Sequence, residues 1–235
     1  MEARGAAGPD RCRENAETRV LVKICGITRL DDAEAAVDAG ATALGFVFWP
    51  DSPRFIDPYR ARAIVRALPA FVTTVGVFVN QPAEFIAGVA SLVPLGAVQL
   101  HGDETAGSVE KIGRPVIKAL TLDIASQADR LASWPAGVTI LLDAHDPVRR
   151  GGTGRAVDWE AAAVIAAERR TILAGGLTPD NIGEAIERVR PFGIDVSSGV
   201  EQSPGVKDRG RIRALFRALN GVPAVETLHR YDHQA

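Results

Sequence analysis

The sequence predicts a closed (β/α)8 barrel, mainly because of the number of its repeated units. From residue 20, short apolar runs rich in β-branched residues alternate with longer stretches of Ala, Glu and Arg at helical spacing, which is the pattern of βα units with a parallel sheet. Eight such units follow one another within about 200 residues, the short end of the size range for this barrel. The first βα turn, at 25–28, lacks the G-x-G-x-x-G fingerprint of a doubly wound open sheet. One barrel domain is therefore expected over residues 20–221.

The individual elements are predicted from these patterns in chain order. The strands are expected at Leu21–Cys25, Ala43–Phe48, Thr73–Val79, Ala97–Leu100, Pro115–Ala119, Thr139–Leu142, Thr171–Leu173 and Gly193–Val196. The helices are expected at Leu30–Ala39, Pro58–Leu68, Pro82–Ser91, Glu104–Lys111, Ile124–Ala132, Asp158–Glu168, Pro179–Val189 and Asp208–Leu219. Asp57-Pro58 and Thr178-Pro179 each place a capping side chain before a proline at the first helical position. Gly40 ends the first helix.

The two terminal segments lie outside the barrel pattern. Residues 1–19 mix both charge signs and contain no apolar stretch, which argues against a secretory signal, and their acidic residues argue against a transit peptide. We expect a disordered leader at 1–19 and a flexible tail at 222–235.

The composition favours a small-molecule partner. The chain has 46% hydrophobic and 24% charged residues, a net charge of −2 and a pI near 6.1, so no basic surface for nucleic acid or for a membrane is expected. Its two cysteines, Cys12 and Cys25, have no metal-ligand spacing and suggest no disulfide framework. A reducing compartment is the expectation, and the cytoplasm is the one we predict.

Several strand ends carry polar residues, and strand ends are where barrels of this class keep their active sites. These candidates are Cys25, Gln99, His101, Lys118, Asp143, Asp195 and Ser197. Lys23 and Cys25 share one strand face, so the Lys23 ammonium could favour the thiolate of Cys25. The alternative is that Cys25 is a small buried apolar residue and Lys23 extends its stem towards water.

Three glycine-rich turns follow late strands and indicate a phosphate site. They are Gly151-Gly152-Thr153-Gly154, Ala174-Gly175-Gly176-Leu177 and Ser197-Ser198-Gly199-Val200. Glycine lets backbone N–H groups approach an anion, and the loops after strands seven and eight of such barrels often bind phosphate. The same glycines could also simply make turns.

Eight collinear segments resemble phosphoribosylanthranilate isomerase of tryptophan biosynthesis. They are VKICGITRLDDA (22–33), LGFVFWPDSPRFI (44–56), VGVFVN (75–80), VQLHGDE (98–104), LLDA (141–144), GGTG with Asp158-Trp159 (151–159), LAGGLTPDNI (173–182) and DVSSGVEQSPGVKD (195–208). The resemblance implies a barrel isomerase without cofactor or metal. Its reaction is the Amadori rearrangement of N-(5-phosphoribosyl)anthranilate to 1-(2-carboxyphenylamino)-1-deoxyribulose 5-phosphate.

The resemblance also implies roles for individual residues. The cysteine of the KICG motif, Cys25, matches the general base of the family, and the aspartate of the LLD strand, Asp143, matches its general acid. Arg54 matches the arginine that pairs with the anthranilate carboxylate. The substrate-binding site is expected to contain Lys23, Arg54, His101 and Asp195, and the phosphate site Gly154, Gly175, Gly176, Ser198 and Gly199.

Other interpretations of these residues stay open. Asp143 could instead pair with Arg149 or Arg150, and His101 could be a hydrogen-bonded structural residue. Val157 departs from the aromatic residue that the family often has before Asp158-Trp159.

Two other functions are alternatives. One is a related barrel isomerase for a phosphoribosyl amine, such as that of histidine biosynthesis, although paired aspartates are expected there and the first strand here ends in Cys25. The other is an inactive barrel that binds a phosphorylated metabolite. A monomer and a homodimer fit the sequence equally.

Overall fold

The computed structural model describes residues 20–121, 131–143 and 158–222. Eight parallel strands form a closed barrel in chain order, and β1 pairs with both β2 and β8. The strands are β1 Leu21–Cys25, β2 Ala43–Val47, β3 Thr73–Phe78, β4 Ala97–Leu100, β5 Val116–Thr121, β6 Thr139–Asp143, β7 Thr171–Leu173 and β8 Gly193–Val196. The predicted barrel is therefore confirmed, with strand ends shifted by one or two residues in four of the eight strands.

Helices follow the strands and form the outer layer. They are α1 Leu30–Ala39, α2 Pro58–Ala67, α3 Ala83–Leu92, α4 Val109–Ile112, α5 Trp159–Glu168, α6 Ile182–Val189 and α7 Arg209–Asn220. The caps agree with the sequence at Asp57, whose side chain accepts from the backbone N–H groups of Tyr59 and Arg60, and at Gly40, which has a φ of 116°. The predicted helix at Ile124–Ala132 falls largely outside the described residues.

Two helix predictions were wrong at their start. The helix predicted from Pro179 begins at Ile182, because residues 178–181 form a turn in which Asn181 Oδ1 accepts from the Thr178 N–H at 2.8 Å. The helix predicted from Glu104 begins with a 3-10 turn at Ala106–Ser108. The Glu104 carboxylate instead accepts from loop N–H groups of Asn80 and Gly102. In both places a side chain satisfies a loop backbone, which competes with helix formation.

The apolar core has an inner and an outer part. Inside the barrel, strand residues pack together at Val75, Ala97, Ile117, Ala119, Leu141, Ile172 and Ala174. Between barrel and helices lies a larger cluster that includes Ile24, Leu44, Leu100 and Ile140. Since successive side chains on a strand point to opposite faces, the inner cluster identifies which positions of each strand face the lumen.

A short hairpin follows β8 and was not predicted. After a 3-10 turn at Ser198–Val200, β9 Glu201–Ser203 pairs antiparallel with β10 Val206–Lys207. Gly205 turns the chain between them with a φ of 79°, a region that glycine adopts without steric cost. The Thr28 hydroxyl donates to the Gly205 carbonyl, so the hairpin is attached to the loop after β1.

Candidate active site

A pocket opens at the carboxyl ends of the strands, as the barrel architecture predicts. Most of the predicted site residues line it, namely Cys25, Arg54, His101, Asp143, Gly175, Gly176, Asp195 and Ser198. Lys23, Lys118 and Gly199 are not part of this lining, and Gly154 lies outside the described residues.

Cys25 is the last residue of β1 and is buried, with 8% of its surface exposed. Gly45 on the neighbouring strand makes room for the thiol, because a Cβ at position 45 would lie 2.7 Å from Cys25 Sγ. Burial raises the pKa of the Cys25 thiol above its ordinary value and the Asp195 carboxylate adds to the rise, while Lys23 and Lys207 oppose it. The thiol form is therefore favoured in the free protein.

Lys23 lies beneath the pocket and is engaged by Asp195. Its Nζ donates to Asp195 Oδ2 at 2.8 Å, and less than a tenth of either side chain is exposed. Burial lowers the pKa of Lys23, but Asp195 and Cys25 outweigh that effect and raise it above the ordinary value. Lys23 acts on the Cys25 thiol in the expected direction, since its ammonium lowers the pKa of Cys25, but desolvation and Asp195 have the larger effect and the net pKa is raised.

Asp143 ends β6 and meets His101, which follows β4. His101 Nε2 lies 3.4 Å from Asp143 Oδ2, and His101 Nδ1 lies 2.9 Å from Gln99 Nε2. Because an amide nitrogen only donates, Nδ1 accepts in this arrangement and Nε2 carries the imidazole proton towards Asp143. The pair with Arg149 or Arg150, an alternative for Asp143, involves residues outside the described part of the chain.

Arg54 reaches the pocket from the loop after β2 and forms an ion pair with Glu201 of β9. Arg54 Nη2 donates to Glu201 Oε2 at 2.7 Å, and Arg54 Nε donates to Oε1 at 2.9 Å. Burial raises the pKa of Glu201, but Arg54 and Lys207 outweigh burial and lower it below the ordinary value. Glu201 is therefore a carboxylate at neutral pH.

Lys207 of β10 connects this ion pair to the cysteine. Its Nζ donates to Glu201 Oε1 at 2.8 Å and to the backbone carbonyl of Cys25 at 2.5 Å. Sequence reasoning missed Glu201 and Lys207, although both lie in the segment DVSSGVEQSPGVKD that carries the family resemblance. The sequence feature that could have indicated this pair is an acidic and a basic residue on either side of the Pro204-Gly205 turn, which brings the two close together.

The two loops after β7 and β8 line one side of the pocket with backbone. Gly175 and Gly176 both line the pocket and have positive φ values, 80° and 65°, which glycine adopts without steric cost. Ser198 begins the 3-10 turn next to them. Gly199 packs against the Leu177 carbonyl, where any Cβ would overlap with it, so this glycine permits the two loops to approach.

Lys118 was placed among the pocket candidates from the sequence, and this was wrong. It is buried on the outer face of β5, where its Nζ donates to Glu104 Oε2 and to the Gly102 carbonyl, both at 2.7 Å. The ammonium also lies 5.4 Å from the centre of the Trp134 ring. Lys118 thus supports the loop after β4 from outside the barrel.

Among the described residues, no cluster of His, Cys, Asp or Glu is suited to hold a metal ion, and no helix has the length and apolar character needed to cross a bilayer.

Comparison with known proteins places this chain in a family. The family model for N-(5'-phosphoribosyl)anthranilate isomerase matches residues 22–218. The N-(5'-phosphoribosyl)anthranilate isomerase of Pelobacter propionicus is 50% identical over 198 residues, which cover 84% of this chain and 94% of that protein.

Two solved structures extend the comparison. A phosphoribosyl anthranilate isomerase in complex with reduced 1-(o-carboxyphenylamino)-1-deoxyribulose 5-phosphate superposes with a TM-score of 0.77 at 44% identity, over 86% of this chain and 100% of that one. Monomers of the dimeric enzyme from Thermotoga maritima give a TM-score of 0.77 at 42% identity, over the same shares. The chain belongs to the family of N-(5'-phosphoribosyl)anthranilate isomerases.

Proposed function

We propose that the chain isomerises N-(5'-phosphoribosyl)anthranilate by general acid and base catalysis, with Asp143 as the acid and Cys25 as the base. Opening of the ribose ring requires a proton on the ring oxygen, and the resulting iminium must lose the proton on C2 to become an enolamine. Asp143, in its acid form, donates the first proton, and Cys25, in its thiolate form, accepts the second and becomes a thiol. The enolamine then tautomerises to 1-(2-carboxyphenylamino)-1-deoxyribulose 5-phosphate.

One observation carries this proposal: the two groups end strands on different sides of one pocket. Cys25 ends β1, Asp143 ends β6, and both line the cavity into which Asp195 also projects. A substrate between them would present its ring oxygen to one group and C2 to the other. A general acid or base must lie within hydrogen-bond reach of the proton that it moves, and this arrangement allows both contacts at once.

Three further contacts are proposed for the substrate. Arg54 would bind the carboxylate of the anthranilate moiety through its planar guanidinium. Asp195 lines the pocket, and its Oδ1 atom is buried without a hydrogen-bond partner among the described residues. A ribose hydroxyl would donate a hydrogen bond to this oxygen. The N–H groups of Gly175 and Gly176, with Ser198, would bind the phosphate.

The activity is tested by generating the substrate and following the loss of its anthranilate fluorescence in the presence of the purified protein. Cys25→Ala and Asp143→Asn should each lower kcat by at least about 100-fold, the usual effect of removing a general acid or base. Near-normal turnover by a folded sample of either variant would contradict the assignment. An inactive wild-type protein that still bound the product would instead favour the inactive metabolite-binding barrel.

We also propose that the chain forms a homodimer through the amino-terminal end of the barrel. Phe71 lies between α2 and β3 at that end, is fully exposed and has a φ of 72°, which is strained for an aromatic residue. It borders an apolar cavity whose lining includes Leu21, Pro115 and Phe192. The relative from Thermotoga maritima is dimeric. Insertion of Phe71 into the cavity of a second copy would remove the ring from water.

Sedimentation or light scattering tests this proposal. Phe71→Ser should weaken the dimer by at least about tenfold, since burying a phenylalanine side chain is worth about 2 kcal/mol. Phe85→Ser is the matched control, because Phe85 is an exposed phenylalanine on α3, outside this cavity. Equal dimer dissociation constants for wild type and Phe71→Ser, measured over a dilution series, would contradict the dimer interface.

The cytoplasm is the compartment we propose for this reaction. The reason is chemical: Cys25 must stay reduced so that its thiolate can accept a proton, and a reducing compartment maintains that state.

A further inference from the structure

The ion pair between Arg54 and Glu201 is unusual in its burial. The Arg54 side chain is 12% exposed and the Glu201 side chain 4%. Both belong to segments outside the barrel strands, the loop after β2 and the hairpin after β8, where charged side chains are usually exposed. Two short hydrogen bonds connect them, from Nε to Oε1 at 2.9 Å and from Nη2 to Oε2 at 2.7 Å, and Nε also lies 3.2 Å from Oε2. Such a bidentate contact fixes the plane and the direction of a guanidinium, which a single contact would leave free to rotate.

The contact uses only one edge of the guanidinium. A guanidinium presents two bidentate edges, one formed by Nε and Nη2 and the other by Nη1 and Nη2. Glu201 occupies the first edge. On the second edge, Nη2 uses one of its two N–H groups for Glu201, and Nη1 makes no hydrogen bond to any residue that the structure describes. Arg54 lines the active-site pocket.

Glu201 is itself held in place from behind. Lys207 Nζ donates to Oε1 at 2.8 Å, and the backbone N–H of Gly205 donates to the same oxygen at 3.2 Å. Its backbone carbonyl accepts from Arg211 Nη1 at 2.6 Å. The carboxylate is therefore a rigid partner, because moving it away would break its contacts with the turn and with the second strand of the hairpin.

The stem of Arg54 is fixed as well. It crosses over Gly26, where a Cβ would lie 2.6 Å from Arg54 Cδ. The backbone N–H of Arg54 donates to Ser52 Oγ at 3.1 Å. The contacts with Gly26 and Ser52 fix the Arg54 stem, and the contact with Glu201 fixes its guanidinium. The orientation of the unused Nη1 and Nη2 edge is therefore fixed as well.

We infer that Glu201 is a positioning residue that makes the enzyme specific for a substrate with a carboxylate. It holds Arg54 so that the Nη1 and Nη2 edge receives the anthranilate carboxylate in a second bidentate contact. The inference rests on the proposed role of Arg54. A lysine at position 54 would supply the charge but not two edges, which is why this site needs an arginine.

The test compares two substrates that differ only in this group. N-(5'-phosphoribosyl)anthranilate and N-(5'-phosphoribosyl)aniline are prepared by condensing ribose 5-phosphate with anthranilic acid or aniline, and kcat and KM are measured for both by product chromatography. The ratio of their kcat/KM values reports carboxylate selectivity. Glu201→Gln removes the charge, and Glu184→Gln is the matched control because Glu184 pairs with Arg188 on the exposed face of α6.

Glu201→Gln should lower kcat/KM for the anthranilate substrate by about 10- to 100-fold, mainly through KM, since it weakens a charge-assisted contact. The aniline substrate should change by less than about threefold, because it has no carboxylate to orient. The control should leave both substrates unchanged. In an Arg54→Ala background, Glu201→Gln should add no further loss of selectivity, as expected for two residues that act as a unit.

Glu201→Asp provides a second variant if Glu201→Gln does not fold. Aspartate keeps the charge, but its side chain is one methylene shorter and cannot hold both Arg54 contacts, so the same loss of selectivity is expected. Unchanged selectivity in a folded Glu201 variant would overturn the inference. Equal losses of kcat/KM on both substrates would also overturn it, because they would indicate a purely structural role. A wild-type enzyme that isomerises both substrates equally well would overturn the inference while leaving the isomerase activity intact. A wild-type protein without activity on either would contradict the proposed function itself.

Discussion

His101 Nε2 lies 3.4 Å from Asp143 Oδ2, and the opposite nitrogen of the same ring is held by Gln99 at 2.9 Å. The imidazole therefore stands between a buried amide and the proposed general acid. Gln99 sets its orientation, and its proton on Nε2 is directed at the carboxylate that remains after Asp143 has given its proton to the substrate. His101 is thus expected to stabilise the anionic form of the acid.

Replacing His101 should slow turnover without abolishing it. His101→Phe keeps a planar ring but removes the polar contact between Nε2 and Asp143, and kcat should fall about 10-fold, in line with the loss of a polar contact to a charged group. His101→Gln restores a donor and should recover part of the loss. Steady-state kinetics of both variants checks this, and a normal kcat for His101→Phe would show that the contact with Asp143 is dispensable.

The buried thiol of Cys25 should make stability depend on pH in the alkaline range. Burial, followed by Asp195, raises its pKa in the folded protein, so the unfolded chain ionises this thiol first. The resulting stability is fully present below the pKa of the unfolded thiol, about 8.5, and is lost as pH rises through the higher folded value. Urea unfolding at several pH values should show this loss for wild type but not for Cys25→Ala. Parallel curves for the two proteins would contradict it.

Lys118 and Glu104 should be strongly coupled in stability. The Glu104 side chain is only 5% exposed, and Lys118→Met leaves its carboxylate without a cation. The free energy of unfolding should fall by about 3–5 kcal/mol, the range for removing one partner of a buried ion pair. Adding Glu104→Gln should recover part of this free energy of unfolding, because the uncompensated charge is then gone. A double variant as unstable as the sum of the two single variants would contradict the coupling.

Gly26→Ala should impair substrate binding more than folding. Gly26 has a φ of 78°, where an alanine costs about 1–2 kcal/mol, and its Cβ would displace the stem of Arg54. KM for the anthranilate substrate should rise about tenfold or more, in line with a lost charge-assisted contact. Gly113→Ala is a suitable control, since Gly113 has a φ of 62° and a Cβ added there would meet no heavy atom within 4 Å. Equal KM values for the two variants would argue against displacement of Arg54.

Local patterns were sufficient for the barrel and for the strand-end residues, but not for the direction of every side chain. The strand predicted at Thr139–Leu142 leads directly into Asp143, so the position of Asp143 at a strand end beside the pocket followed from the sequence. Lys118 could not be assigned in this way. Strands covered by helices are apolar on both faces, so alternation separates Lys118 from Ile117 and Ala119 without indicating which set faces the lumen.

Contacts between distant loops were also beyond the sequence. Arg54 and Glu201 are separated by 147 positions, and neither belongs to a strand of the barrel. Their pairing depends on how β2 and β8 are placed around the closed barrel and on the hairpin that carries Glu201. No periodicity in the chain encodes that placement, although the family resemblance covers both residues.

The bond from Lys207 Nζ to the Cys25 carbonyl joins residues 182 positions apart, and β1 finds its second neighbour only in β8. During synthesis the segment with the thiol is made first and its supporting lysine near the end. Contacts of such long sequence separation form late, because the intervening chain must be ordered before they can close. A nascent chain that ends before β8 therefore has a cysteine without a finished pocket around it, and catalysis begins only when the last part of the barrel joins the first.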